Sequence, residues 1–540
     1  MRKLILLILV LSFFATASTC RRRNLDAVTV ALPEKFQTFD TVTTVASDAA
    51  AERVKNLMFN SLVKKDEKFE YVGELAKEIK TSDDGKVITF VLQDNVKFHN
   101  GQDFTSADVK YTFDQLFASN GYKAGAFFDS VPDDSAPATK PAAAPASSPA
   151  APPEAKKMKR IAHISSIETP DAKTVVFTVA RPSLRNQLLS NLVAVPIIPT
   201  GSAPRQKDAP IGTGPFKFVN LDAAQSIVEL AANQEYWEGA PKVAKLRLKT
   251  VTDANSLQAE LQTGGIDIAP NPNNISPDTV KSLAASPSLK VEQSDGSNIQ
   301  YLVFNCKTGP TANVKLRQAF AYAIDRQKIV TDLLFDQAKV ADSILPQGSW
   351  AYSDGSKYSF DPAKAKQLIA ESGYKGEPIV FKYGSGIQAV NQYAQVIQSS
   401  LNSVGLNIQI ETLEAQTARK EVSQGKYGIF TGVWVGGNQD PIFLRDLFAT
   451  SKIPSETVNC CNRSFYSNPT FDKYVLDAEN STDKAQAKDL YGKAWQIASD
   501  ELPLLPLWYP ANIIIANKRI GDIKINASGD WSFLKNITAQ

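Results

Sequence analysis

Only two histidines, His99 and His163, and four cysteines, Cys20, Cys306, Cys460 and Cys461, could bring imidazole or thiol chemistry to this chain. Neither histidine lies near a G-x-S-x-G elbow, and the sequence contains none, so no nucleophile stands ready for His-assisted acyl transfer. No C-x-x-C spacing occurs, and two imidazoles without it fall short of a zinc ligand set, so neither a metal site nor a cofactor is expected. Gly212-Thr213-Gly214-Pro215 looks superficially like a phosphate loop. It lacks the G-x-x-x-x-G-K-[ST] order, and Pro215 removes an N–H that a phosphate cradle would use. Among 56 acids no pair stands out from ordinary solvated faces. Asp108 is explained by helix capping rather than by catalysis, and no catalytic residue is named.

The elements around these residues describe an exported α/β protein. Arg2-Lys3, the apolar run Leu4 to Phe14 and the small residues Ala15 to Thr19 form a secretory leader. The run is too short to span a bilayer, which takes ~20 residues. Cys20 stands where a lipoprotein leader places its lipidated cysteine, although Ala17 and Thr19 depart from the usual lipobox. A cut after Ala15-Thr16-Ala17 by ordinary signal peptidase is the alternative. Lys and Arg total 59, and loss of Arg2 and Lys3 with the leader takes the net charge from +3 to +1. A nucleic-acid partner needs a basic stripe that this balance lacks. In an oxidising compartment one of Cys460 and Cys461 can bond Cys306, leaving one thiol over; adjacent cysteines rarely bond each other.

With 540 residues and 43% hydrophobic content the chain can fill several cores. Ala27 to Leu32 alternates like a first strand, and Asp48 to Leu57 reads as a helix. In Lys86 to Leu92, Ile88, Phe90 and Leu92 share one strand face. Thr105, with Asp108 three residues on, is a capping box, with Phe104 stapled to Val109. Pro132 to Lys157 is Ala/Pro/Ser-rich and cannot bury enough surface to order itself, so it is expected to be a disordered insertion. Lys173 to Ala180 resumes the strand pattern of Lys86 to Leu92 and is expected to pair with it. Further on come a strand at Gln300 to Asn305, one long helix from Lys315 to Leu334, a helix opened by Asp361-Pro362 and closed by Gly373, a helix from Gln392 to Val404, and a strand from Leu406 to Ile410. Strands alternating with helices indicate α/β architecture with partly parallel sheets.

Six blocks resemble, in family order, the oligopeptide/dipeptide/nickel-type (family 5) solute-binding proteins of ABC importers. They are VKFHNGQDFTSADVKYTF from Val96, IGTGPF from Ile211, LQAELQTGGIDI from Leu257, YLVFN with VKLRQAFAYAIDRQKIV from Tyr301, FDPAKAKQLIAESGY from Phe360, and LPLLPLWY from Leu502. The resemblance implies a two-lobed, three-domain periplasmic-binding-protein-like fold whose lobes close over a ligand by a hinge. On that analogy residues 1–20 are the leader and 25–66 begin the first lobe. Residues 67–189 form an extra subdomain carrying the 132–157 insertion, and 190–297 complete the first lobe. Residues 298–509 make the second lobe, and 510–540 return to the first. The implied protein is a monomer in the periplasm or on the outer face of the cell membrane, held there only by a lipid on Cys20. Its implied partners are a peptide or other small solute and the ABC permease. A sugar or metal chelate as ligand, an envelope hydrolase and, more distantly, a structural adhesin are the alternatives.

The resemblance also implies the ligand site. In Gly432 to Pro441, GVWVGGNQDP, peptide-binding relatives carry an Asp that pairs with the ligand's α-ammonium, and Gly437 occupies that place. A buried ammonium without a counter-charge is costly, so ordinary free-N-terminal peptides are disfavoured. Asp440 could substitute, but Asp440-Pro441 reads more simply as a helix start. Trp434 is either a cleft wall or a core residue. Thr44 and Ser47 lie where relatives place small polar groups near ligand. The candidate binding set is Thr44, Ser47, Trp434, Gly437, Asn438 and Asp440. Gly212 and Gly214 are assigned to shaping a tight loop rather than touching ligand.

Overall fold

The computed structural model describes residues 27–36, 38–45, 49–119, 121–132, 158–436, 439–455 and 461–540. Cys20, Ser47, Gly437, Asn438, Cys460 and all but the first residue of the 132–157 insertion lie outside the described residues.

Two large sheets organise the molecule. The first has seven strands in the order Phe216–Asp222, Ile227–Ala232, Lys245–Thr250, Ala27–Leu32, Ile268–Pro270, Asn512–Asn517 and Leu289–Ser294. Ala27–Leu32 is buried along its whole length and pairs in parallel with a neighbour on each side, as a β-branched and apolar strand covered on both faces should. Asn512–Asn517 slots antiparallel between Ile268–Pro270 and Leu289–Ser294, so the chain's end returns to the sheet its beginning started. The second sheet has six strands in the order Ala338–Val340, Leu504–Pro510, Ile299–Phe304, Ile429–Trp434, Ile379–Gly384 and Ile408–Leu413. The two sheets, each with its own buried core, give the molecule a mixed α/β, two-lobed architecture.

A smaller antiparallel sheet, Ala76–Thr81, Val87–Leu92, Thr174–Val179 and Ile164–Asp171, is attached to the first lobe. Val87–Leu92 pairs with Thr174–Val179, as the repeated strand pattern required. Its Ile88, Phe90 and Leu92 are fully buried, while the alternate residues are half-buried. The helix Ser106–Ala118 that covers it starts at the expected capping box. Asp108 Oδ2 accepts the Thr105 amide at 2.9 Å, and Oδ1 accepts the Thr200 amide and hydroxyl, each at 2.8 Å. One carboxylate thus caps a helix and pins a loop 92 residues away.

Three expected boundaries move, the simplest being the helix expected from Gln392 to Val404, which runs over Gln388–Ser403. The single helix expected over Lys315 to Leu334 is broken: Val314–Ala323 stops at Ile324, which is extended, and Asp325 caps a fresh turn through Lys328 N at 2.9 Å. Asp competes locally for backbone N–H groups, which is why a sequence with unbroken apolar periodicity still ends there. The strand expected at Leu406 to Ile410 runs instead over Ile408–Leu413, in parallel register with Ile379–Gly384.

The chain crosses between the large sheets twice, after Ser294 and after Pro510. The crossings touch: a Cβ added to Gly296 would lie 1.9 Å from the Pro510 carbonyl oxygen, and Asn512 Nδ2 donates to the Asp295 carbonyl at 3.3 Å. Only glycine permits that approach.

Candidate functional site

The second lobe presents the segment that follows the strand Ile429–Trp434. Trp434 is paired with Ile299 across the sheet, and its half-buried ring packs on Phe443 with centroids 4.8 Å apart. With Tyr301, Phe430, Phe448 and Cys461 it borders a void of about 10 Å³, room for roughly one water and no more. Trp434 is therefore anchored in the core on one side and only partly covered on the other. Val433 and Val435, its neighbours, are exposed (41% and 68%). Beyond Phe430 the outer edge of this strand leaves its neighbour, which pairs with it only at Phe381–Ile429 and Lys382–Phe430.

Asp440 performs the capping expected of it: Oδ1 accepts the Ile442 amide at 2.8 Å at the start of the helix Ile442–Phe448. Its other oxygen, Oδ2, accepts the Tyr71 hydroxyl from the first lobe. Burial pushes the Asp440 carboxyl up, and the Lys65 ammonium opposes that shift; burial in turn pushes Lys65 down against the pull of Asp440. Lys65 Nζ donates to Gln439 Oε1 at 3.3 Å. Gln439 Nε2 donates to Ser297 Oγ, in the first crossing, at 2.8 Å. On the opposite flank Arg445 donates to Gln187 Oε1 at 3.3 Å and pairs with Glu479 at 3.2 Å. Burial raises Glu479 to about 7, against the Arg445 charge.

Thr44 lies in the first lobe, half-buried, in a turn fixed by Asp40, whose Oδ1 accepts the Val42 and Thr43 amides at 2.9 and 2.8 Å. Its carbonyl accepts the Tyr122 amide at 3.1 Å. Trp434 and Asp440 are brought together around the helix Ile442–Phe448. The sequence does not disclose Lys65, Tyr71, Gln187, Gln439 and Arg445, which bond between the two lobes. Nothing in its local spacing marks them, since Tyr71 and Asp440 are 369 residues apart.

The Gly212–Gly214 loop is structural. A Cβ at either glycine would collide with the Met58 or Phe59 backbone or ring. His99 Nδ1 accepts the Gly212 amide at 3.4 Å, which leaves Nε2 to donate to the Gly214 carbonyl at 3.0 Å. Burial holds this imidazole neutral, its pKa lowered to about 4. His163 sits 3.1 Å from Asp129. The cysteine expectation is corrected: Cys306 is free, its thiol directed at the Phe304 carbonyl and pushed up to about 11 by burial. Cys461 is disulfide-bonded, to a partner outside the described residues. Among the described residues no group of three His, Cys, Asp or Glu could hold a metal ion, and no helix is long and apolar enough to cross a membrane.

Residues 70–455 match the family described as bacterial extracellular solute-binding proteins, family 5 (middle region), and the chain belongs to that family. It is 29% identical over 470 residues to heme-binding protein A of Haemophilus influenzae, covering 83% of this chain and 80% of that protein. It is 30% identical over 490 residues to an ABC transporter peptide-binding protein of Brucella ovis, covering 86% and 83%. Its fold superimposes on NikZ from Campylobacter jejuni in complex with Ni(L-His) with a TM-score of 0.74 at 22% identity, covering 96% and 100% of the two chains.

Proposed function

We propose that this chain is the substrate-capturing component of an ABC importer, exported by its leader, held at the membrane by a lipid on Cys20, and binding a small solute between its two lobes as a monomer. The observation that carries the reading is the pair of touching crossings at Gly296 and Pro510, which joins two separately cored sheets at one edge and leaves their facing surfaces able to close. Burial of a ligand on closure then makes the closed form the signal that a permease reads. We assign the domains by the boundaries given above.

The ligand set comprises Thr44 and Ser47 from the first lobe and Trp434, Gly437 and Asn438 from the second. Asp440 contributes to closure instead, because both of its oxygens already accept protein hydrogen bonds. With Gly437 in place of a carboxylate, the solute is one without a free α-ammonium in that position: a capped or modified peptide, or a chelate. The open edge beyond Phe430, with Val433 and Val435 exposed, suits an extended backbone laid alongside the strand.

Mass spectrometry of solute co-purified from the native host tests this. A bound peptide-like or chelate molecule released on denaturation is expected. Catalytic turnover of that molecule by the purified protein, or no solute together with no thermal shift on adding peptides, haem or nickel-histidine, would overturn the assignment. Palmitate labelling of the cell-bound protein tests the anchor; an unlabelled chain beginning at Ser18 would refute it and leave export standing.

A further inference from the structure

A short hairpin of the first lobe, Val63–Lys65 paired antiparallel with Tyr71–Gly73, reaches onto the second lobe. Its tip is built to hold one shape. Asp66 Oδ1 accepts the Lys68 and Glu70 amides at 2.8 and 2.9 Å, and the Phe69 amide donates back to the Asp66 carbonyl at 3.0 Å. Phe69 adopts φ 59°, a left-handed conformation that a bulky non-glycine residue accepts only when its surroundings compensate. The compensation is burial: Phe69, at the exposed end of a surface hairpin, is only 3% exposed. Its ring edge lies where a Cβ on Gly348 of the second lobe would be 3.3 Å away.

Three polar contacts surround that anchor, all crossing from the hairpin to the second lobe. Lys65 donates to Gln439 at 3.3 Å, Tyr71 donates to Asp440, and Glu70 pairs with Lys484 at 2.7 Å. The Lys484 ammonium also stands 5.3 Å above the Trp350 ring, which completes the wall of the dock. At its base the hairpin is fastened to its own lobe by Lys64–Glu238 at 3.0 Å and by Glu74, whose oxygens accept Asn60 Nδ2 and the Ser61 amide. One side of the hairpin is thus built into the first lobe and the other is spent on the second.

We infer that the hairpin Val63–Gly73 is a strap that holds the cleft shut by protein contacts alone, with Phe69 as its anchor and the Tyr71–Asp440 hydrogen bond as its catch. The inference rests on the two-lobed closing reading above but on no particular solute. A contact that favours the closed form raises the fraction of protein competent to retain ligand, and apparent affinity scales with that fraction. The strap sets a resting population of closed protein before any solute arrives, and it slows release afterwards without selecting what is bound.

The test uses the full-length mature protein stripped of ligand, with small-angle scattering or single-molecule distance measurement across the lobes. The unaltered protein is expected to populate the closed form measurably. Tyr71→Phe, which removes one hydrogen bond to a carboxylate and leaves the ring in place, is expected to lower the closed-to-open ratio about tenfold. Phe69→Ala is expected to lower it further, and Tyr71→Phe combined with Asp440→Asn is expected to cost little more than either alone. Should Phe69→Ala fail to fold, Tyr71→Phe carries the test by itself. A ligand-free protein that is wholly open, or a closed-to-open ratio unmoved by Tyr71→Phe, overturns the strap. Neither result bears on whether the cleft binds a solute, which the co-purification experiment decides separately.

Discussion

Glu74 places one carboxylate oxygen 2.8 Å from Asn60 Nδ2 and the other 2.7 Å from the Ser61 amide, at a point where burial raises it to about 7. A folded-state pKa above the unfolded value near 4.5 means that the native state binds this proton more tightly. Its contribution is therefore full below about pH 4.5 and is lost as pH rises through 7. The loss amounts to at most about 3 kcal/mol, and Glu479, raised to about 7 as well, adds in the same direction. Denaturant titrations at pH 5 and pH 7 should show lower stability at pH 7, and Glu74→Gln should reduce the difference; an unchanged difference would show that Glu74 is ionised throughout. Gly437 yields a second expectation. If Gly437 lines the ligand site as proposed, Gly437→Asp adds a carboxylate without a counter-charge there and should weaken the native solute on the order of tenfold to hundredfold, the cost of an unsatisfied buried group. Calorimetry against the co-purified solute and a di- to pentapeptide library reads this directly, and tight binding of ordinary peptides by the unmodified protein would refute it. At this scale the sequence disclosed what is local. Thr105 with Asp108, and Asp440 with Ile442, could be read from spacing, because a capping oxygen finds its partner within three residues. The second partners of those same carboxylates, Thr200 and Tyr71, could not, because only the assembled fold brings them near.

Elements were legible where burial enforced a period. Ile88, Phe90 and Leu92 alternate into the core, and Leu316, Ala319, Phe320 and Ala323 form a buried stripe, so strand and helix type followed from sequence. Boundaries set by a single polar side chain did not: the break at Ile324–Asp325 leaves the apolar period intact and depends on Asp325 capturing one amide. Residues 133–157 of the Ala/Pro-rich insertion lie outside the described residues, but the elements that flank them are informative. Phe128–Pro132 and Met158–Ala162 pair antiparallel with Pro132 opposite Met158, so both ends of the insertion leave one hairpin at adjacent strand termini. Replacing residues 133–157 with an Asn-Gly turn should close that hairpin without strain. The expected melting temperature stays within a few degrees of the parent, or rises, since a shorter loop costs less entropy to close. A collapse of the calorimetric transition would mean that the insertion carries structure the core needs.

At the scale of the whole molecule, the closure proposed above would turn on two crossing segments. They meet at Gly296 and Pro510, and the backbone approach there is closer than any side chain tolerates. No sequence pattern announced this, because Gly296 lies in an ordinary-looking Ser-Asp-Gly-Ser turn and its neighbour in space is more than 200 residues further along the chain. The resemblance to solute-binding proteins implies a hinge without saying which atoms it would turn on. Gly296→Val adds branched bulk against the Pro510 carbonyl, so the two segments must separate before the side chain fits. That displacement also loads the neighbouring bonds from Asn512 to Asp295 and from Gln439 to Ser297. The cost should fall on the hinge rather than on either core, at about 1–3 kcal/mol, the usual range for overpacking a filled position. Each lobe should therefore keep its own hydrogen-exchange protection, while amides of residues 295–298, 511 and 512 exchange faster and the distribution of interlobe distances shifts. Uniform loss of protection across both lobes would instead make the crossing part of a single folding unit, and the picture of two bodies turning on a glycine contact would have to be abandoned.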